Sequence, residues 1–161
     1  MYEFENQLAI GEQDEQELDR FFSVDYEVEP VSMEFQRHGI DRLFTRRDIG
    51  TRWSVEYKAD YTAARTGNGF IETISVDTAG KKGWAYTSCA QILVYYIPPF
   101  KQFHVFQMAD IKFALDAWLD VYPVKKVQNG KRGRAEYCTH GVIVPLSEMK
   151  RLSIFSGKVT T

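Results

Sequence analysis

The sequence predicts a mixed α/β domain in which helices flank a central mixed β-sheet. Three observations predict it. Residues 52–59, RWSVEYKA, alternate strictly: Trp53, Val55 and Tyr57 fall on one side, Ser54, Glu56 and Lys58 on the other. That is the period of a half-buried strand. Residues 108–122, MADIKFALDAWLDVY, place Ile111, Leu115, Trp118, Leu119 and Tyr122 on one stripe, as an amphipathic helix requires. The remaining segments order the chain as helix, adjacent strands, helix, two strands, helix, strand, a sheet with helical layers.

The elements follow in chain order. Residues 12–22, EQDEQELDRFF, read as a short helix whose Leu18, Phe21 and Phe22 share a face. Its acidic first turn suits the positive end of the helix dipole. Residues 26–34 alternate and contain Pro30, which fits an irregular edge strand. Residues 39–45, GIDRLFT, read as a strand, and Asp48-Ile49-Gly50 as the turn into residues 52–59. Residues 66–69, TGNG, break the chain before a third strand, FIETISV, at 70–76. A polar loop spans 77–83, and Thr87 or Ser88 is placed to cap a short helix holding Ala90 and Gln91. Residues 92–97 are strongly β-prone, and 102–107 can return beside them beyond Pro98-Pro99. After the helix at 108–122 and a basic loop, 136–145 read as a strand, and Ser147 can cap a last helix at 148–152.

No repeat, low-complexity stretch or Pro/Gly/Ser-rich linker divides the 161 residues, so residues 1–161 are expected to form one domain. A chain of that size buries about two-thirds of its unfolded surface and needs no staple. The composition, 44% hydrophobic and 14% aromatic, is too apolar for a disordered chain. No apolar run is long enough to span a membrane. The acidic N-terminus lacks the basic and apolar regions of a signal peptide. Cys89 and Cys138 have no metal-binding spacing and read as reduced thiols, so a cytoplasmic protein is expected.

Net charge is −2, but it is unevenly spread. The first 30 residues hold ten acids and one base. Arg37, Arg42, Arg46, Arg47 and Arg52 crowd one window, and Lys125, Lys126, Lys131, Arg132 and Arg134 another. Local basic clusters on an acidic body fit either a polyanion-binding face or solvated loops.

Asp41, Glu56 and Lys58 carry the chemistry. Glu56 and Lys58 are two apart in a strand and share a face. A hairpin joining 39–45 to 52–59 brings Asp41 beside them. Two carboxylates are hard oxygen ligands of the kind Mg²⁺ takes while keeping several waters. An adjacent amine can orient or deprotonate an attacking water and offset charge on a phosphate.

The run GIDRLF followed about ten residues later by SVEYKAD resembles the PD-(D/E)xK nuclease superfamily. Asp41, Glu56 and Lys58 stand at the motif's three positions, and Ile40 replaces the Pro that often precedes the Asp. The resemblance covers about residues 12–97 and is closest in pattern to Holliday-junction resolvases. It implies a restriction-endonuclease-like core and a catalytic set of Asp41, Glu56, Lys58 and a helix glutamate. DEQEL offers Glu15 for that last place, with Glu17 the alternate. It also implies Mg²⁺ or Mn²⁺ held by Asp41 and Glu56, DNA as substrate, and Gln91 close to the phosphate.

Other residues admit two readings. Arg37, Arg42, Lys81 and Lys82 are candidate DNA contacts. Trp84 and Tyr86 follow Lys81-Lys82-Gly83 and can stack on bases or anchor the core. Glu72 enlarges the acidic cleft if its strand lies beside 52–59, yet its alternation leaves its face open. His38 is near Asp41 in sequence, while His104 and His140 have no metal-ligand spacing. No P-loop, GxGxxG or GxSxG is present, so no nucleotide cofactor is expected.

The expected activity is metal-dependent hydrolysis of DNA phosphodiesters, of which structure-selective, resolvase-like cutting is one version. The alternative is a non-catalytic nucleic-acid-binding or scaffold protein that keeps the fold. Cutting both strands needs two sites, so a homodimer is expected, with the aromatic hairpin 92–106 either its interface or core.

Overall fold

In the computed structural model, which describes residues 2–129 and 136–160, a long helix, α1 (Tyr2–Phe22), leads into β1 (Tyr26–Pro30) and the short helix α2 (Met33–Arg37). Then come β2 (Arg42–Arg46), β3 (Arg52–Ala59), α3 (Ala63–Thr66), β4 (Asn68–Val76), β5 (Lys81–Lys82) and α4 (Trp84–Thr87). The chain continues through β6 (Ile92–Ile97), β7 (Gln102–Gln107), α5 (Met108–Val121), β8 (Val124–Asn129), β9 (Tyr137–Pro145), α6 (Leu146–Lys150) and β10 (Phe155–Lys158).

The strands form two sheets where the sequence predicts one. The first has the order β1-β2-β3-β6-β7-β10, and the second β5-β4-β9-β8. All pairs are antiparallel except β3 with β6. A parallel pair cannot be closed by a tight turn and needs a long crossover. Residues 60–91 are that crossover, and β4 and β5 form within it. The strand beside β3 is therefore β6, and β4 stands in the other sheet.

Two apolar clusters hold the layers. Leu18 and Phe22 of α1 pack with Phe44, Val55, Tyr57, Val94, Phe103 and Val105 on one face of the first sheet. On the other face, Leu93, Tyr95, Ile97 and Phe106 meet Ile71, Val142 and Val144 of the second sheet and Ile111, Leu115 and Trp118 of α5. Glu56 is paired with Leu93 and Lys58 with Tyr95. Paired residues share a face, so Glu56 and Lys58 look toward the second sheet while Val55 and Tyr57 look toward α1.

Several boundaries differ from the sequence reading for identifiable reasons. α1 begins well before residue 12, but Leu8 and Ile10 are exposed, so no apolar stripe marks that half. The segment 26–34 divides into β1 and the start of α2, and β2 starts just after Asp41. Thr87 and Ser88 end α4 instead of opening a helix, and the Ser88 hydroxyl donates to the Gly39 carbonyl. Gln91 is consequently not helical. Lys125 and Lys126 lie on edge strand β8 and not in a loop; Lys131, Arg132 and Arg134 lie outside the described residues. The hairpin 92–106 is core: β6 and β7 are interior strands, with Leu93–Ile97 and Phe103–Phe106 buried. β10 is an element the sequence reading missed. Among the described residues, no helix is long and apolar enough to cross a membrane.

Candidate active site

Asp41 brackets Glu56. Its amide donates to the Val55 carbonyl at 2.8 Å, and its Oδ2 accepts from the Tyr57 amide at 2.8 Å. The β2–β3 hairpin thus brings a carboxylate from just outside one strand against the backbone on either side of Glu56. Gly39 makes the approach possible at φ +72°, a conformation that favours glycine.

Glu56 is 2% exposed. Its Oε1 meets the Lys58 ammonium at 2.7 Å, and its Oε2 is buried with no hydrogen-bond partner. Burial raises the Glu56 pKa; Lys58 and the nearby Ser88 hydroxyl oppose this, and the Asp41 charge adds to it. Lys58 is partly exposed, so the pair opens at one end toward solvent.

Glu15 and Glu17 are separated by about 200° around the helix, and the structure gives them different surroundings. Glu15 accepts from Arg42 Nη2 at 2.9 Å. Burial raises its pKa, Arg42 lowers it, and the Asp41 charge raises it again, so Glu15 shares the field of Asp41. Glu17 accepts from Lys101 at 2.8 Å and from the Tyr96 hydroxyl at 2.5 Å, and these two bonds lower its pKa. Of the two, Glu15 is the one on which the Asp41 charge acts.

Arg42 is turned inward. Its Nε donates to both oxygens of Asp19 at 3.0 Å, its Nη2 to Glu15, and its Nη1 to the Asp41 carbonyl at 2.8 Å. With its side chain 12% exposed, it is a brace between α1 and β2, which corrects its assignment as a DNA contact. Arg37, Lys81 and Lys82 are exposed, with Lys82 Nζ 5.5 Å from the Tyr86 ring centroid. Gln91 is exposed; its side-chain oxygen accepts from the Ser54 amide at 3.1 Å, and its own amide donates to the Ser54 carbonyl at 3.0 Å. Trp84 is core and Tyr86 is exposed.

Of two further residues near the site, the sequence left Glu72 open and gave Ser88 only as a helix cap. Glu72 reaches the site although β4 is not beside β3. Burial raises its pKa, the Lys58 charge and the Trp84 amide lower it, and the Glu56 charge raises it. Ser88, beside Glu56, is buried; its hydroxyl donates to the Gly39 carbonyl at 3.1 Å and accepts from the Ala90 amide at 3.3 Å. Its contact spans 49 positions, and no local signal announces it. His38 is exposed; His104 is buried against Ser156, and His140 is paired with Asp77.

The donor set fits a hard cation in one respect: Glu56 Oε2 is a buried oxygen with no partner, which a cation would satisfy. Among the described residues, no group of three or more His, Cys, Asp and Glu is gathered closely enough to hold a metal ion. A groove of about 1620 Å³ lies between the end of α1 and the first sheet and is lined by Phe22, Tyr26, Trp53, Ser88, Gln91 and Phe155 among others. None of Asp41, Glu56, Lys58 and Glu15 lines it. No protein-family model matches the chain, and no curated protein or solved structure matches it either.

Proposed function

We propose that this chain is a metal-dependent DNA endonuclease. The observation that carries the reading is the juncture of β2 and β3, where Asp41 brackets Glu56 and Lys58 stands on the same face as Glu56. The element order supports it: a helix, three antiparallel strands, a crossover and a parallel strand. That is the context which the resemblance to PD-(D/E)xK nucleases implies, and on this reading the first sheet with α1 is a restriction-endonuclease-like core.

Asp41 and Glu56 would hold Mg²⁺ or Mn²⁺, with the Asp41 Oδ2 bond to Tyr57 fixing one carboxylate and the Lys58 bond the other. The ion, when bound, lowers the pKa of coordinated water and offsets negative charge on the phosphate. Lys58 places an ammonium at the solvent end of the pair, where it meets a phosphate oxygen or the attacking water. Glu15, held by Arg42, accepts hydrogen bonds from water beside Asp41. Arg37, Lys81, Lys82 and Gln91 are the polar groups assigned to DNA. A homodimer would supply the two sites that double-strand cutting needs.

One observation favours a second reading. Among the described residues the carboxylates are not gathered into a metal cluster, as in a non-catalytic nucleic-acid-binding protein that keeps the fold. Supercoiled plasmid, linear duplex and a four-way junction, each incubated with Mg²⁺, Mn²⁺ or EDTA, separate the two. The endonuclease cuts with metal and loses cutting in Lys58→Ala. Tight binding with no cutting of any substrate would leave the second reading standing.

A further inference from the structure

β4 meets the first sheet through an edge that β5 leaves free. β5 pairs with β4 only from Ile74 onward, and the Phe70 amide donates to the Tyr95 hydroxyl at 3.0 Å. Tyr95 is the register partner of Lys58, so this edge is fixed against the row that holds Lys58. Glu72 lies two residues further along β4. Gly69, Ile71 and Thr73 are buried while Phe70 and Glu72 are partly exposed, so Glu72 keeps to the solvent side of its strand. The Lys58 side chain is itself 34% exposed, and it is the cation that acts most strongly on Glu72, ahead of Lys81.

Glu72 is held in place but has no ion pair. A Cβ on Gly83 would lie 2.7 Å from Glu72 Cγ, so the start of α4 presses on the stem of the side chain and limits where its carboxylate can go. Gly83 is tied to the same strand, its amide donating to the Thr73 carbonyl at 2.9 Å. Among the described residues no cation lies within ion-pair distance of the Glu72 carboxylate. A half-buried carboxylate with open lone pairs is an acceptor for an ammonium.

The Lys58 ammonium occupies Glu56 Oε1 at 2.7 Å and leaves only Oε2 open. That bond fixes Glu56 until a cation arrives. A divalent ion on Asp41 and Glu56 would then set two positive charges against one carboxylate that is 2% exposed, where their repulsion is poorly screened. The lysine stem is flexible, so the ammonium can move while both carboxylates stay.

We infer that Glu72 is a positioning residue for Lys58: when Glu56 takes a divalent cation, the Lys58 ammonium passes from Glu56 to Glu72, which frees Glu56 Oε1 and keeps the ammonium at the mouth of the site. The step exchanges one ion pair for another and transfers no proton. It rests on the metal site of the endonuclease reading and adds a residue of the second sheet to it.

The test is a double-mutant cycle read by Mn²⁺ binding, followed by electron paramagnetic resonance on the full-length protein without DNA. Glu72→Gln removes the second acceptor and keeps its shape, so Lys58 stays on Glu56 and Mn²⁺ affinity should fall at least about fivefold. In Lys58→Ala no ammonium has to move, and adding Glu72→Gln should change the affinity by less than about twofold. An equal fall in both backgrounds would make Glu72 a ligand or a plain charge near the ion and overturn the inference, as would no fall in either. A second measurement needs no Glu72 variant. The Lys58 ammonium nitrogen resonance, assigned by its loss in Lys58→Ala, should shift but persist on addition of Mg²⁺; its disappearance into rapid exchange with water would mean release to solvent and overturn the inference. Coupled Mn²⁺ binding with no cutting of any DNA keeps the inference and removes the endonuclease. Metal-dependent cutting by a protein whose Glu72→Gln variant binds Mn²⁺ as the parent does would do the reverse, and a parent that binds no Mn²⁺ overturns both.

Discussion

The Lys58 ammonium stands 2.7 Å from one oxygen of Glu56 and leaves the other oxygen of that carboxylate buried without a partner. The pair is thus half complete: one oxygen is matched by the ammonium, and the other has no partner. If Lys58 also serves the reacting phosphate, its removal must affect the chemical step more than metal binding. Lys58→Ala is expected to slow single-turnover cleavage by at least about 100-fold while Mn²⁺ still binds. Cleavage at the parent rate would remove Lys58 from the chemistry.

A ligand that binds only the folded protein raises its stability by mass action. With Mg²⁺ or Mn²⁺ at ten times its dissociation constant, the gain is about 1.4 kcal/mol, or a Tm rise of about 3–6 °C for a chain of this size. The rise should vanish in Asp41→Asn and Glu56→Gln and persist in Glu17→Gln, whose carboxylate is committed to Lys101 and Tyr96. A thermal scan with and without metal measures this. An equal rise in all variants would place the ion elsewhere.

The juxtaposition of the three candidate residues was legible in sequence because it is local. Asp41, Glu56 and Lys58 fall on one hairpin, and strict alternation over 52–59 fixes which residues share a face. The alternation at 52–59, the hairpin 92–107 and the α5 stripe were equally plain, since each is a periodicity within one element. What sequence could not show depends on contacts between distant segments. Glu72 has the alternation of a sheet residue, but nothing in FIETISV says that its strand joins a second sheet facing the first. Arg42 belongs to a basic cluster in sequence, and only the approach of α1, which brings Glu15 and Asp19 to it, turns it from a contact residue into a brace. β8 and β10 carry little apolar signal because each is an edge strand and exposes most of its residues.

The contrast between Arg42 and Arg37 is measurable. Arg42→Ala leaves Glu15 and Asp19 without their shared cation and removes its ties between α1 and β2, at a cost of about 2–4 kcal/mol, so the denaturant midpoint should fall sharply. Arg37→Ala should leave stability within about 0.5 kcal/mol and weaken DNA binding instead, reducing the salt slope by about 1. Fluorescence titration at several salt concentrations reads the second effect. A normal salt slope in Arg37→Ala would take that residue out of the interface.

The pH dependence of stability should show two opposed contributions that single variants can separate. Burial raises the pKa of Glu15, Glu56 and Glu72 from 4.5. Above pH 4.5 the unfolded chain has released these protons while the folded chain retains them, so this contribution is complete below 4.5 and is lost as pH rises through the folded values. His104 acts in the opposite sense. It is buried on β7, with Ser156 Oγ 2.7 Å from Nδ1 and Nε2 unpartnered. Burial, helped by the Lys150 charge, lowers its pKa from 6.5 to about 4. Between those values the unfolded chain takes up a proton that the folded chain refuses. Its contribution is complete above 6.5 and declines as pH falls toward 4, by about 3 kcal/mol in all. In the parent protein the two trends oppose each other between about pH 4.5 and 6.5. Relative to the parent, Glu56→Gln should make Tm rise more steeply, or fall less steeply, with pH across this window, and His104→Leu should do the reverse. Identical profiles for the parent and both variants would mean that neither group carries its altered proton affinity in the folded protein.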